Sequence, residues 1–275
     1  MINQVILFFK KIFEGPLPIS IFRILGYNKP YRTAIVRVLP VIFKKFRPHY
    51  HSVIYESTQL ALKLNLRKIS LVEFGVAGGH GLLSIEKYCK KLSKKYSIEY
   101  EIFGFDFGDS LGLKKTKDPK DLPYYWNEGQ FKMNLEKLKK KIKISKLILG
   151  DVSTTVKTFT EKFRPAPIGA IFFDLDYYTS TMDALEIFKC SDEFMLPRVI
   201  CYFDDLQPNV NKFNGELAAI NEFNKNNDQM KIAKDYGSAL NYYYGPWEEE
   251  VFILHRFNHK DYQIKSKDTI YTTNL

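Results

Sequence analysis

Residues 69–81 read Ile69-Ser70-Leu71-Val72-Glu73-Phe74-Gly75-Val76-Ala77-Gly78-Gly79-His80-Gly81. An apolar run of strand length, 69–74, enters a glycine-rich turn, and 82–92 continues at helical spacing. Strand, glycine turn and helix N-terminus together form a place where backbone approaches a ligand closely and unbonded N–H groups face it. A nucleotide-like cofactor is expected there. The nicotinamide fingerprint asks for G-x-G-x-x-G, whereas this turn runs G-x-x-G-G-x-G from Gly75 to Gly81, with Glu73 just before it. A carboxylate in that place repels a pyrophosphate and attracts a cofactor carrying an ammonium and a sulfonium group. S-adenosylmethionine has that chemistry, with Glu73, Gly75, Gly78 and Gly79 around it. The plain alternative is that the glycines close an ordinary tight turn.

Outward from this unit, apolar runs at 100–105, 146–149, 168–173, 199–203 and 251–255 alternate with amphipathic helical stretches. Such alternation predicts an α/β fold, a doubly wound, mostly parallel sheet of Rossmann-like type with helices on both faces. Acids end the second and third runs, in Gly104-Phe105-Asp106 and Gly150-Asp151. Ligands of open α/β sheets lie at those strand ends. Asp106 is therefore the expected acceptor for two ribose hydroxyls, and Asp151 for an adenine amino group. Each alone could equally be a helix N-cap. A helix is expected over 52–64 and another around Leu135, Leu138 and Ile142, where Lys137, Lys139, Lys140 and Lys141 read as the solvated face of that helix and not as a nucleic-acid patch. The Asn-rich 221–228 reads as a polar loop.

Two further runs end in paired acids, Asp174-Leu175-Asp176 and Asp204-Asp205. Carboxylates gathered at one point repel one another unless protons or a cation neutralise them. Hard oxygen donors suit Mg²⁺ or Mn²⁺, so Asp174, Asp204 and Asp205 are the expected metal ligands. A metal would serve the acceptor: it lowers the pKa of a hydroxyl and orients its attack on the sulfonium methyl. Asp176 or one of His49, His51 and His80 is the expected general base. The alternative for Asp176 and Asp205 is again helix capping.

Bulk properties set the frame. The 275 residues, 45% hydrophobic and 15% aromatic, can bury a sizeable core. The formal charge of +10 suits anionic partners, such as a phosphorylated glycan or small-molecule acceptor; nucleic acid is not favoured, since the lysine run has a helix face to occupy. Cys89, Cys190 and Cys201 form no C-x-x-C pair, so neither a disulfide framework nor a zinc site is expected, and a reducing cytoplasm fits. The start, MINQVILFFKKIF, lacks a basic region before its apolar run and a small-residue site after it, so a secretory leader is not expected. Residues 1–51, apolar, basic and rich in proline, read as an N-terminal helical extension to the domain at 52–275. It suits a peripheral membrane contact, a dimer contact or a cover over the site. A homo-oligomer is expected. Tyr124, Tyr125, Trp126, Tyr242, Tyr243 and Trp247 could stack on a sugar acceptor or simply pack.

The run Asp174-Leu175-Asp176-Tyr177-Tyr178-Thr179-Ser180-Thr181-Met182-Asp183-Ala184-Leu185 resembles the D-G-D-x-Y-x-S-T-x-D-A-L segment of the macrocin O-methyltransferase family, class I enzymes that methylate deoxysugars on macrolides. Glu73-x-Gly75-Val76-x-Gly78-Gly79, Gly104-Phe105-Asp106, Glu128-Gly129-Gln130-Phe131 and the paired Asp204-Asp205 are similar to further segments of that family, over about 71–223. Leu175 stands where the family has glycine, and Tyr178 where it often has an acid. The resemblance implies a Mg²⁺-dependent sugar O-methyltransferase, with Asp174, Asp204 and Asp205 on the metal and Glu73, the glycines, Asp106 and Asp151 on S-adenosylmethionine. Two other readings stay open: a metal-independent methyltransferase acting on an amine or RNA, and a non-catalytic binding protein on the same fold.

Overall fold

The computed structural model describes residues 47–108, 116–124, 127–206, 211–235 and 250–263. Strands β1 (Lys68–Phe74), β2 (Glu99–Asp106), β3 (Ser145–Leu149), β4 (Ile168–Phe173), β5 (Met195–Phe203), β6 (Met230–Lys234) and β7 (Val251–Arg256) form one sheet in the order β3-β2-β1-β4-β5-β7-β6. β1 to β5 run parallel, and β7 is antiparallel to both its neighbours. The doubly wound, mostly parallel sheet expected from the alternation is present. Chain order reverses between β1 and β4, and a crevice opens at such a switch point outside the carboxyl ends of the strands.

Helices α1 (Pro48–Lys63), α2 (His80–Tyr96), α3 (Leu135–Lys141), α4 (Val152–Thr155), α5 (Phe159–Phe163), α6 (Tyr178–Leu185) and α7 (Gly215–Asn226) complete the described fold. α1 begins at Pro48 and packs on α2 and across β4 and β5. Residues 1–46, on which the membrane, dimer and cover roles of the extension fall, lie outside the described residues, as do Tyr125, Trp126, Tyr242, Tyr243 and Trp247. Among the described residues no helix is long and apolar enough to cross a membrane. The three cysteines are free thiols.

Side chains alternate across a strand, and here both faces are buried, which is why the parallel runs read as continuous apolar segments. Ile69, Leu71, Ala170, Phe172, Ile200 and Tyr202 face α1 and α2 in one cluster. Val72, Phe74, Phe103, Ile171, Phe173, Cys201 and Phe203 face α5, α6 and α7 in the other. Phe173 lies at the centre of the second cluster, stacked on Phe203 at 4.5 Å and on Phe74 at 5.5 Å, with no exposed surface. Phe173→Ala is expected to cost about 3–5 kcal/mol, since the walls close only partly over the cavity it leaves; urea unfolding measures the loss.

One reading of the sequence needs correction, and one strand has no counterpart in it. The stretch 221–228 is not a loop up to Asn226: it forms the second half of α7, whose Ala219, Ile220 and Phe223 are buried at helical spacing. Its asparagines have specific work. Asn224 donates its Nδ2 to the Ile232 carbonyl at 2.7 Å and accepts from the Ile232 N–H at 2.7 Å, so one amide fastens α7 to β6. β6 itself was not anticipated, because Lys231 and Lys234 break up its apolar residues in Met230-Lys231-Ile232-Ala233-Lys234.

Candidate functional site

A cavity of about 480 Å³ opens at the carboxyl ends of β1, β2 and β4. Glu73, Gly75, Gly78, His80, Asp106, Asp151, Asp174, Asp176 and Asp204 all line it, so the structure gathers nearly every residue singled out in the sequence. Gly79, which faces Leu138, and Asp205 are not among the lining residues.

The glycine turn is shaped by its surroundings. At Gly75, with φ of 83°, an added Cβ would lie 1.7 Å from the Asp174 carbonyl oxygen, because the chains leaving the paired ends of β1 and β4 stay side by side there. Gly81 is bare for a different reason: its Cβ would fall 1.8 Å from Glu73 Oε1. α2 starts after Gly79 with no side-chain cap, so its first N–H groups are available to a ligand.

Glu73 is 1% exposed. Its Oε1 accepts from the Tyr50 hydroxyl at 3.0 Å, and that hydroxyl in turn accepts from Arg47 at 2.9 Å. Glu73 Oε2 has no protein partner although it is buried. Burial pushes this carboxyl up to about 8, while Arg47 and the Tyr50 bond pull the other way. A buried acid with an orphaned oxygen on a cavity wall is an unfilled acceptor. Neither Arg47 nor Tyr50 was anticipated, since both come from the start of α1 and reach Glu73 only through tertiary packing. Arg47 lines the cavity and stays charged: Tyr50, Asp204, Asp174 and Glu73 outweigh the burial that opposes its charge.

Asp106 does more than the sequence suggested. Its Oδ2 accepts from the N–H groups of Val76 at 2.9 Å and Ala77 at 2.8 Å, and its Oδ1 from Gly108 at 2.7 Å. Three of roughly four acceptor positions of a carboxylate are thus used on backbone. Asp106 clips the glycine turn to the end of β2 and keeps one acceptor position over. Asp151 is the N-cap of α4, accepting from Ser153 N at 2.9 Å and from Ser153 Oγ at 2.6 Å while it lines the cavity. The simple capping alternative therefore holds for it alongside any ligand role.

The remaining acids lie at the ends of β4 and β5. Burial, then the charges of Asp204 and Asp205, push the Asp174 carboxyl well above the usual carboxylate range. Asp176 is also raised, by burial and by Asp174, and sits at φ of 61°, a left-handed conformation costly for a residue with a side chain. Its N–H donates to Asp205 Oδ2 at 3.2 Å, and Asp205 N donates to the fully buried Glu216 at 3.1 Å. Asp205 therefore faces Asp176, and this engagement is why it does not line the cavity with Asp204. The Tyr202 hydroxyl lies 2.9 Å from Asp204 Oδ1 and 2.6 Å from Glu250 Oε2. One hydroxyl proton serves only one of them; burial raises Glu250 to about 8, where a proton of its own closes the second bond.

The donor chemistry of Asp174, Asp204 and Asp205, hard oxygens that raise one another's affinity for positive charge, fits a divalent ion of the Mg²⁺ or Mn²⁺ kind. Among the described residues no three His, Cys, Asp or Glu side chains are already set to hold one. Of the histidines, His80 lines the cavity at the start of α2. His49 and His51 do not. His49 stacks on Tyr202 at 4.7 Å and His51 meets Tyr88 edge-on at 5.1 Å, and burial lowers both so that they stay neutral.

Solved structures share this fold. CalS11, a calicheamicin methyltransferase, superposes with a TM-score of 0.53 at 20% identity, over 84% of this chain and 87% of its own. The O-methyltransferase NovP gives 0.51 at 13% identity, over 76% and 79%. The chain has the methyltransferase fold. No family model and no curated protein sequence matches it. In the methyltransferase fold the sheet order found here places the glycine turn of β1 at the topological switch, which is where the cavity lies.

Proposed function

We propose that this chain transfers the methyl group of S-adenosylmethionine to a hydroxyl of a sugar, as part of a glycan or secondary metabolite, in the manner of the macrocin O-methyltransferase family. The observation that carries the reading is the Glu73 carboxylate, buried on the cavity wall with Oε2 unpartnered, beside a glycine turn and an uncapped helix N-terminus. Glu73 would accept from the donor's ammonium group, Asp106 from one ribose hydroxyl through its remaining acceptor position, and Asp151 from the adenine amino group. Gly78, where a Cβ would meet nothing closer than the His80 ring at 3.6 Å, leaves room for the donor to pass. S-adenosylmethionine supplies the electrophilic methyl group.

At the acceptor end, Asp176 would take the hydroxyl proton, with its raised carboxyl held in place by Asp205. His80, at the lip of the cavity, is the second candidate for that proton. Asp174 and Asp204, which line the cavity, would hold Mg²⁺ or Mn²⁺, with Asp205 behind them on Asp176, and the ion when bound would acidify and orient the acceptor hydroxyl. The charge of +10 suits a phosphorylated, nucleotide-linked or lipid-linked acceptor met in the cytoplasm. One observation favours a second reading, metal-independent transfer: Arg47 already brings a cation to Asp174, Asp204 and Glu73.

Chelation separates the two. With EDTA, and in Asp204→Asn, methyl transfer to a sugar acceptor is expected to fall at least about 100-fold, the scale of losing a catalytic metal worth several kcal/mol. Transfer that continues unchanged in both would sink the metal step and leave the second reading.

A further inference from the structure

Phe131 adopts φ of 59° and is 50% exposed. A bulky aromatic residue in the left-handed region is a genuine outlier, and such strain survives only where the surroundings impose it. They do so here on both sides. Before it, Gly129 turns at φ of 85°, Asn127 N donates to the Gln130 side-chain oxygen at 3.0 Å, and Gln130 N donates to the Asn127 carbonyl at 3.3 Å. After it, Met133 is buried and Asn134 caps α3 by accepting from Lys137 N at 2.9 Å. α3 is in turn laid against the glycine turn, where a Cβ on Gly79 would strike Leu138 at 2.2 Å. The chain thus buries Met133 and leaves the neighbouring aromatic ring on the cavity wall.

The left-handed turn holds the ring half exposed on the cavity wall, where a flat apolar group can lie against it. The turn belongs to the connection between β2 and β3, and Phe107, just after β2, and Val152, at the start of α4 after β3, are partly exposed and also on the cavity wall. The opposite end is walled by Asp174, Asp176 and Asp204, which suit hydroxyls and cations and not a π face. We infer that Phe131 is a donor-binding residue whose ring covers the purine of the adenosyl group. This rests on the methyl-donor reading above and adds a contact which that reading does not contain.

The test is calorimetry with S-adenosylhomocysteine, adenosine alone and methionine alone, on the unaltered protein, Phe131→Gly and Phe131→Tyr, with thermal unfolding of each. Phe131→Gly is expected to lose about tenfold in affinity for S-adenosylhomocysteine and for adenosine, the usual scale for removing one base-stacking ring. Methionine binding should not change. Its Tm should hold or rise, because glycine accepts the left-handed conformation freely, and Phe131→Tyr should bind as the parent does. Undiminished adenosine binding by Phe131→Gly would overturn the inference while the donor reading stands. A fall in Tm accompanying the affinity loss would equally overturn it in favour of a structural role. If the unaltered protein binds neither nucleoside, the donor reading fails and this contact with it.

Discussion

Replacing Glu73 by glutamine is expected to weaken S-adenosylhomocysteine binding about 10- to 100-fold, the loss of a hydrogen bond to a charged group worth roughly 1.5–3 kcal/mol. The fold should not suffer. Because burial raises the Glu73 carboxyl from its ordinary 4.5 to about 8, the folded state prefers the protonated form. Its contribution to stability is therefore full below about pH 4.5 and is lost as pH rises toward about 8, where the buried group must ionise. Glutamine cannot ionise, so Glu73→Gln should be at least as stable as the parent at pH above about 8. An ammonium ligand needs the ionised carboxylate. Parental affinity should consequently fall as pH drops below about 8, and the glutamine variant should lose that dependence. Calorimetry over pH together with urea unfolding reads both effects. A variant that binds as tightly as the parent would remove Glu73 from the donor site.

Asp176→Asn should act on chemistry and not on the donor. Asparagine tolerates the left-handed φ of 61° better than most residues, so the bend after β4 survives the change. It cannot accept a proton. The rate of methyl transfer in a single turnover is expected to fall about 10²- to 10⁴-fold, the usual range for a positioned general base. S-adenosylhomocysteine affinity should stay within about twofold of the parent, since Asp176 lies at the β4 end of the cavity and Glu73 and Asp106 lie at β1 and β2. A variant that retains the parental rate would pass the proton-accepting role to His80.

The sheet was legible in the sequence because buried parallel strands are continuous apolar runs, and because acids at their ends are conspicuous against them. Six strands, the five parallel ones and the antiparallel β7, announce themselves as apolar runs; β6, where Lys231 and Lys234 interrupt the run around Ile232, does not. Glu73, Asp106, Asp174 and Asp204 line one cavity because the carboxyl ends of β1, β2, β4 and β5 lie at the same end of the sheet. Which way each one points was not legible. Asp204 and Asp205 are adjacent just beyond the end of β5, yet only Asp204 lines the cavity. Their identity is the same in the sequence, and the difference comes from Asp176 and Glu216 lying beside Asp205.

Other parts of the site depend on contacts between distant segments. Tyr50 and Glu73 are 23 residues apart, and no local pattern links a tyrosine at a helix start to an acid in the next strand. Asp106 was read for what a ligand would ask of it, while its backbone bonds to Val76 and Ala77 arise from the pairing of β1 with β2. Asn224 shows the converse error. Its composition suggested a loop, yet a single amide matched to both backbone groups of Ile232 makes it a fastening of the helix. Propensity is a weak prior where tertiary bonds are available.

The most direct measurement is a calorimetric titration of the unaltered protein with S-adenosylhomocysteine at pH near 8. One-site binding that tightens as pH is raised toward about 8 is the predicted result, with the ammonium group meeting an ionised Glu73. No heat of binding up to about 1 mM, where even a site worth roughly 4 kcal/mol would register, would contradict it.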